Sequence, residues 1–296
     1  MTSRIEGRIE GRIEVFAPAK INLFLHVGER REDGFHDLES LVVFADAGDA
    51  LSFAPAHEFS LALDGPFAGE LGLDENNLVL RAARALGALS GRTRGTAMTL
   101  TKNLPVASGI GGGSADAAAA LRGLSQLWEL DLSNEALRAL AETLGSDVPV
   151  CVESKSAWME GRGEIVTPAK SVAGAAMVLV NPGVSVPTGP VFKGLKTRTG
   201  TGKVIHDVPL GDVAALTAFL KGTTNDLQAP AIEIAPVIGE VLGELSRMPG
   251  AMLWRMSGSG ATCFALFEEQ GEAEMAAIAL KHSHPKWWVQ ATRILT

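Results

Sequence analysis

The stretch Val106–Leu121, VASGIGGGSADAAAAL, decides how the rest of the chain is read. Four of its first eight residues are glycine, and it runs directly into an alanine-rich helical pattern. A backbone-lined loop feeding a helix N-terminus is an anion-binding arrangement: the first amide N–H groups have no acceptor inside the helix, and the helix dipole favours negative charge there. Gly109, Gly111, Gly112 and Gly113 let a ligand approach the main chain, and Ser114 and Asp116 suit the first turn of the following helix. The anion this implies is a nucleotide phosphate. A flexible Gly/Ser linker is the alternative, but a linker does not lead straight into an amphipathic helix.

Better-known phosphate loops fail residue by residue. A Walker A loop needs Lys and then Ser or Thr after its last glycine, where this chain has Ser114 and Ala115. The dinucleotide fingerprint needs a third glycine at the position of Ser114, and Pro105 interrupts the strand that should lead in. Neither a His-Arg-Asp nor an Asp-Phe-Gly triplet occurs anywhere.

Composition narrows the class further. A chain of 296 residues, 46% apolar and 20% charged, has the length and balance of one large or two ordinary globular domains. Its net charge of −8 argues against a nucleic-acid or anionic-membrane partner, so phosphate binding has to come from local dipoles and a few placed cations. Cys151 and Cys263 lie in apolar surroundings and are expected to be buried free thiols, which points to a reducing, cytoplasmic setting. No apolar run approaches the roughly 18 residues of a membrane span, and nothing resembles a secretory signal. Ile5-Glu6-Gly7-Arg8 recurs at once as Ile9-Glu10-Gly11-Arg12. That repeat resembles a protease-cleavage sequence, so residues 1–14 are expected to be an expression tag. A native charged helix bearing Ile5, Ile9 and Ile13 is the alternative.

Residues 15–27, VFAPAKINLFLHV, place Ala17, Ala19, Ile21, Leu23, Leu25 and Val27 on one side and Lys20, Asn22, Phe24 and His26 on the other. This is the period-two pattern of a strand. Its second side suits a pocket wall, although a lone strand lysine is more often solvated. Asp33-Gly34 marks a turn, and short strands are expected at 38–44, 50–53, 59–63 and 96–101. Asn76 or Asn77 can cap a helix to about residue 89 whose buried face is Leu78, Ala82, Ala85, Leu86 and Leu89. Ala117, Leu121, Leu124 and Trp128 keep helical spacing, and Ser133 opens a helix to about residue 144. Beyond it Pro149 should hold Val148 extended and set Asp147 on a stiff turn, where the ordinary use of an Asp is to bond its own backbone.

The texture changes near residues 168–171, dividing the chain into 15–168 and 169–296. The second part is expected to hold a strand at 175–180, a short helix from Thr188 containing Phe192, and a loose loop at 204–211. Helices follow over 212–220, 232–247 with a break at Pro236, and 272–281. A hairpin surrounds Ser257-Gly258-Ser259-Gly260, and a strand at 287–294 closes the chain.

Three segments in this order and spacing resemble the GHMP small-molecule kinases: Pro18-Ala19-Lys20-Ile21-Asn22-Leu23, the loop from Gly109 to Ala117, and Met256-Ser257-Gly258-Ser259-Gly260-Ala261. Arg31-Glu32-Asp33-Gly34-Phe35-His36, Gly145-Ser146-Asp147-Val148-Pro149, the run from Pro182 to Thr188 and Asn225-Asp226-Leu227 narrow the resemblance to the branch acting on a cytidine-diphosphate-linked polyol, CDP-methylerythritol. The resemblance implies an α+β, two-domain GHMP kinase fold, with a ribosomal-S5-domain-2-like N-terminal half and a ferredoxin-like α/β sandwich after it. It implies transfer of the ATP γ-phosphate to a hydroxyl, with Mg²⁺ expected, small molecules as partners, and a monomer or weak homodimer. By position, Asp147 corresponds to the catalytic aspartate and Lys20 to its cationic partner. Pro105, Val106, Ala107, Ser108, Gly109, Ile110, Gly111, Gly112, Gly113 and Ser114 correspond to the ATP-binding loop. Asn22, Phe35, His36, Thr188 and Phe192 correspond to substrate contacts, with His36 reading the cytosine. No spacing in the chain identifies metal ligands.

Two residues depart from the family pattern. Phe35 stands where Tyr is common, which keeps a stacking face and loses a hydroxyl. Ala115 stands where a second Ser is frequent. Homoserine or mevalonate kinases share the loop and the last glycine turn, and a non-catalytic nucleotide-binding module on the same fold is a further alternative. Lys20 and Asp147 argue against that last reading.

Overall fold

A computed structural model describes residues 6–9, 12–32, 34–91, 95–200 and 206–296. Parts of the four-residue repeat, Asp33 of the expected turn and the start of the 204–211 loop lie outside them. The chain opens with strands β1 (Glu6–Ile9), β2 (Arg12–Asn22), β3 (His26–Arg30), β4 (His36–Pro55) and β5 (Ser60–Asp64). Helix α1 (Leu78–Ser90), strand β6 (Thr96–Thr101) and helices α2 (Gly112–Leu127), α3 (Asn134–Glu142) and α4 (Val148–Cys151) follow. Next come β7 (Ala157–Gly161), β8 (Ile165–Pro168), β9 (Ala176–Asn181), α5 (Thr188–Lys193), α6 (Val213–Lys221), α7 (Gln228–Ile234) and α8 (Val237–Ser246). The hairpin β10 (Leu253–Met256) and β11 (Cys263–Phe267), helix α9 (Gln270–Ser283) and strand β12 (Trp288–Arg293) end the chain.

Two compact units form, and neither is a contiguous stretch. One gathers Met1–Ala19, Gly48–Val106 and Gly111–Ser154; the other gathers Lys20–Ala47, Ala107–Ile110 and Lys155–Thr296. The chain changes unit inside β2 and inside β4.

In the first unit, the second half of β4 pairs antiparallel with β6, and β5 joins β6 in parallel. Helix α2 packs on α1 and α4. Asn77 caps α1 by accepting from the N–H groups of Val79 and Leu80, as its position suggested. The buried stripe of α1 is Val79, Ala82, Ala83 and Leu86, and Leu89 is exposed. The face is turned about one position from the expected one. Gly123 of α2 lies against the Phe53 ring, where a side chain would not fit. Cys151 is a buried free thiol. Ile13 is buried within β2, and Arg12 donates to Ser52 Oγ at 2.6 Å, so the strand starts inside the stretch expected to be a tag.

In the second unit, the first half of β4 pairs with β3 and β7, and β7 with β8. Strands β9–β12 form an antiparallel sheet in the order β10-β11-β9-β12. With α5–α8 between β9 and β10 and α9 between β11 and β12, this is the β-α-β-β-α-β pattern of a ferredoxin-like sandwich. Val178, Val180, Ala265 and Phe267 form its core with Ile238, Val241 and Leu245 of α8 and Ala273, Ala277 and Leu280 of α9. Cys263 is also a buried free thiol, and burial pushes its pKa up.

Several local expectations change for physical reasons. The strand foreseen over 15–27 ends at Asn22, and Leu25 leaves it to donate to Thr224 O at 2.9 Å. The strands foreseen at 38–44 and 50–53 are one strand, β4. Gly48 does not break it, because the missing side chain is the space taken by the Phe16 ring and the Ala17 carbonyl. Val148 is helical rather than extended. Pro149 falls in the first turn of α4, where its absent N–H has no helical partner to lose, and that outweighs the bias on the preceding residue. Among the described residues no helix is long and apolar enough to cross a membrane.

Candidate active site

In the second unit the end of β2 carries Lys20 and Asn22, both buried. A solvated lysine was the ordinary expectation; here Lys20 is only 3% exposed, and its N–H donates to Ile110 O at 2.9 Å. Asn22 N–H donates to Ser257 Oγ (3.1 Å), whose hydroxyl donates to Gly109 O (3.1 Å), and Thr262 N–H donates to Ser108 O (3.0 Å). The glycine turn after β10 therefore buttresses the first glycine loop. Gly109 sits at φ 78°, and a Cβ there would meet the carbonyls of Ser257 and Gly260 at 2.6 Å. Ala107 also takes a left-handed conformation, φ 50°, which costs about 1 kcal/mol for a residue with a side chain. Asn225 holds the later turn, donating to Met256 O and Gly258 O at 2.8 Å each.

The Asn22 side chain has a defined orientation. Ser40 donates its only hydroxyl proton to Phe24 O (2.6 Å), so it accepts from Asn22 Nδ2 (2.8 Å). Asn22 Oδ1 is left buried with no hydrogen-bond partner. Such an atom costs about 1–3 kcal/mol and marks a place for a donor.

The same unit holds the residues assigned to the base. His36 stacks on Phe192 with centroids 5.7 Å apart, and its Nδ1 lies 3.2 Å from Gly28 O. A carbonyl only accepts, so Nδ1 is the donor in this contact, and in the tautomer with its proton on Nδ1 the other nitrogen, Nε2, is an acceptor. Thr188 opens α5, the helix that carries Phe192, and its hydroxyl is 2.8 Å from Ser259 Oγ. Phe35 is 54% exposed, with the Arg162 guanidinium 5.1 Å from its ring centroid.

In the first unit, α2 starts at Gly112 behind Gly111, whose φ of 63° is left-handed and whose missing side chain gives no cap. The N–H groups of Gly112, Gly113 and Ser114 thus have no acceptor within the helix. Asp116 is not in the first turn as expected; it lies one turn further on and faces inward. There Lys102 Nζ donates to Asp116 Oδ2 at 2.7 Å and to Asp49 Oδ2. Asp49 Oδ1 accepts from the N–H groups of Asn103 (2.6 Å) and Leu104 (2.8 Å). Burial pushes the Asp116 carboxyl up to about 8 against the pull of Lys102, with Asp49 adding to the rise. Burial opposes the charge on Lys102, but the two carboxylates outweigh it and raise its pKa.

Asp147 also belongs to this unit, at the N-terminus of α4, and its side chain makes no capping bond. Arg122 of α2 ties down the other end of α4, donating to Cys151 O (3.0 Å), Val152 O (3.1 Å) and Phe16 O (2.8 Å). Sequence reasoning missed Ser257, Lys102, Asp116 and Arg122 as positioning groups. Ser257 and Asp116 stood within quoted motifs; Lys102 and Arg122 are ordinary charged residues until the fold places them.

The GHMP kinases N terminal domain matches residues 77–155, and the GHMP kinases C terminal domain matches residues 208–285. The 4-diphosphocytidyl-2-C-methyl-D-erythritol kinase of Cereibacter sphaeroides is 51% identical over 282 residues, covering 95% of this chain and 99% of the relative. The enzyme of the same name from Methylorubrum extorquens is 50% identical over 283 residues, covering 94% and 97%. A crystal structure of 4-(cytidine 5'-diphospho)-2C-methyl-D-erythritol kinase superposes with a TM-score of 0.77 at 33% identity, covering 96% of this chain and all of that one. Homoserine kinase from Cytophaga hutchinsonii shares the fold, with a TM-score of 0.70 at 18% identity, covering 98% and 96%. The chain belongs to the GHMP kinase family, and within it to the 4-diphosphocytidyl-2-C-methyl-D-erythritol kinases.

Proposed function

We propose that this chain transfers the γ-phosphate of ATP to the 2-hydroxyl of 4-diphosphocytidyl-2-C-methyl-D-erythritol, a step of the non-mevalonate route to isoprenoid precursors. The observation that carries the substrate choice is the contact of His36 Nδ1 with Gly28 O beside the Phe192 ring, which leaves Nε2 for the base. Cytosine presents an exocyclic amino donor to the free Nε2, whereas uracil presents a carbonyl there. Phe35 and Phe192 supply apolar ring faces for the base, and Thr188 and Asn22 Oδ1 supply polar contacts for the remainder of the substrate.

The ATP phosphates sit on the loop from Pro105 to Ser114, where uncapped N–H groups meet their charge. Transfer breaks the bond between the γ-phosphorus and the oxygen that leaves with ADP, and forms one to the substrate oxygen. The hydroxyl proton passes to Asp147. A tertiary alcohol is a poor acid, so Asp147 orients the hydroxyl and takes its proton late, in a loose transition state governed by positioning and charge. Lys20 offsets charge on the moving phosphoryl group. Among the described residues no group of three His, Cys, Asp or Glu could cage a metal. Mg²⁺, if it accompanies ATP, would neutralise charge on the phosphates held by the loop from Pro105 to Ser114.

Residues 15–168 carry ATP binding and catalysis, and residues 169–296 contribute to the substrate pocket. The partners are small molecules, without nucleic acid or membrane. The chain acts in the cytoplasm as a monomer or weak homodimer. His36→Ala should raise KM for the cytidyl substrate by about 10-fold or more, the cost of losing a hydrogen bond read by a buried base, and leave KM for ATP unchanged. Equal effects on both would place His36 elsewhere.

A further inference from the structure

The cluster of Asp49, Lys102 and Asp116 is not accounted for by phosphate binding, base recognition or proton transfer. Its three side chains come from β4, from the segment after β6 and from α2, and each is almost fully buried. A Cβ added to Gly112 would meet Lys102 Nζ at 3.0 Å and Asp49 Oδ2 at 3.7 Å. The ammonium thus lies directly against the first residue of α2, in the turn whose N–H groups have no acceptor within the helix. One oxygen of the cluster, Asp116 Oδ1, is buried without a hydrogen-bond partner. Packing alone does not ask for a half-satisfied carboxylate at this point; apolar side chains of similar volume fill such a space at lower cost.

We infer that Lys102, gripped by Asp49 and Asp116, is a positioning residue that sets the phosphate-binding turn at Gly111–Ser114. The inference rests on the reading of that turn as the ATP site. Asp49 ties the cluster to the backbone of Asn103 and Leu104, which lead into the loop, and Asp116 ties it to α2, which leaves the loop. One cation therefore fixes both ends of the segment that meets the phosphates. The charged groups facing Asp116 are Lys102 and Asp49. While Asp116 holds its proton the cluster is neutral. Once that proton is lost, the cluster carries one net negative charge behind a turn that binds an anion, and phosphate binding weakens.

The test measures steady-state kinetics and thermal melting for Lys102→Met, Asp116→Asn and Gly113→Glu. A Cβ at Gly113 meets only Leu78, at 3.6 Å, so the last variant keeps the fold and puts a negative charge in the turn itself. Lys102→Met should raise KM for ATP by about tenfold, with KM for the alcohol substrate within about twofold, the split expected of a group that orders one substrate's site. In the unsubstituted protein KM for ATP should climb as pH passes about 8, and Asp116→Asn should remove that climb. If Lys102→Met fails to fold, the pH profile of Asp116→Asn decides. A KM for ATP that follows the unsubstituted protein in Asp116→Asn at every pH, while Gly113→Glu raises it, overturns the inference and leaves the ATP reading standing. No effect of Gly113→Glu overturns both.

Discussion

In the proposed reaction Asp147 is the residue that takes the hydroxyl proton. It sits half-buried at the start of α4 and spends no side-chain bond on capping that helix. Asp147→Asn keeps the shape and removes the proton acceptor. We expect kcat to fall by at least about 10², with KM for both substrates little changed, as loss of a transition-state role requires. Near-normal turnover would reject the assignment. At this scale the motifs were legible because Lys20, His36 and Asp147 stand in short segments whose spacing is distinctive. The burial of Lys20 was not, since an isolated strand lysine reads as solvated until both faces of β2 are covered. Lys102 and Asp116 were also illegible: 14 and 53 residues separate Lys102 from its two partners, and only the fold brings them together.

Elements place these residues through a few polar ties. Arg122 is the main one for α4, with three carbonyls on one guanidinium. Arg122→Met keeps the aliphatic stem and strips those carbonyls of a charged donor. The expected loss is about 2–3 kcal/mol in denaturant unfolding, together with a lower kcat, because α4 carries Asp147. An unchanged midpoint and kcat would show that α4 holds its place without Arg122. Strand and helix existence was readable from periodicity, as for α1, α2, β6 and the β10–β11 hairpin. The continuity of β4 and the helical Val148 were not, because each is decided by a neighbour: Gly48 under Phe16, and Pro149 in a first turn.

For the whole molecule, stability should depend on pH through His26. Burial holds its pKa below the ordinary histidine value of about 6.5, and Arg255 adds to that, against the opposing pull of Asp226 and Glu39. Its Nε2 accepts from Thr224 N–H at 3.2 Å, a bond that a protonated ring cannot keep. The unfolded chain therefore binds a proton that the folded chain refuses. This contribution is complete above the unfolded value and is lost as pH falls through it toward the lower folded one. Because the raised Asp116 carboxyl favours the fold as pH falls, the His26 effect is read as a difference: between pH 7 and pH 5.5 melting should change less favourably in the unsubstituted protein than in His26→Gln, and parallel curves for the two would remove His26 as the cause. The two-unit α+β fold and its family were legible from three short motifs in order, whereas the interleaving of the units was hidden, because nothing local in β2 or β4 marks where the chain changes unit. Substrate identity is read from ATP consumption with 4-diphosphocytidyl-2-C-methyl-D-erythritol, homoserine and mevalonate offered separately. Turnover is expected with the cytidyl substrate alone; turnover with homoserine or mevalonate and none with the cytidyl substrate would overturn the proposed function.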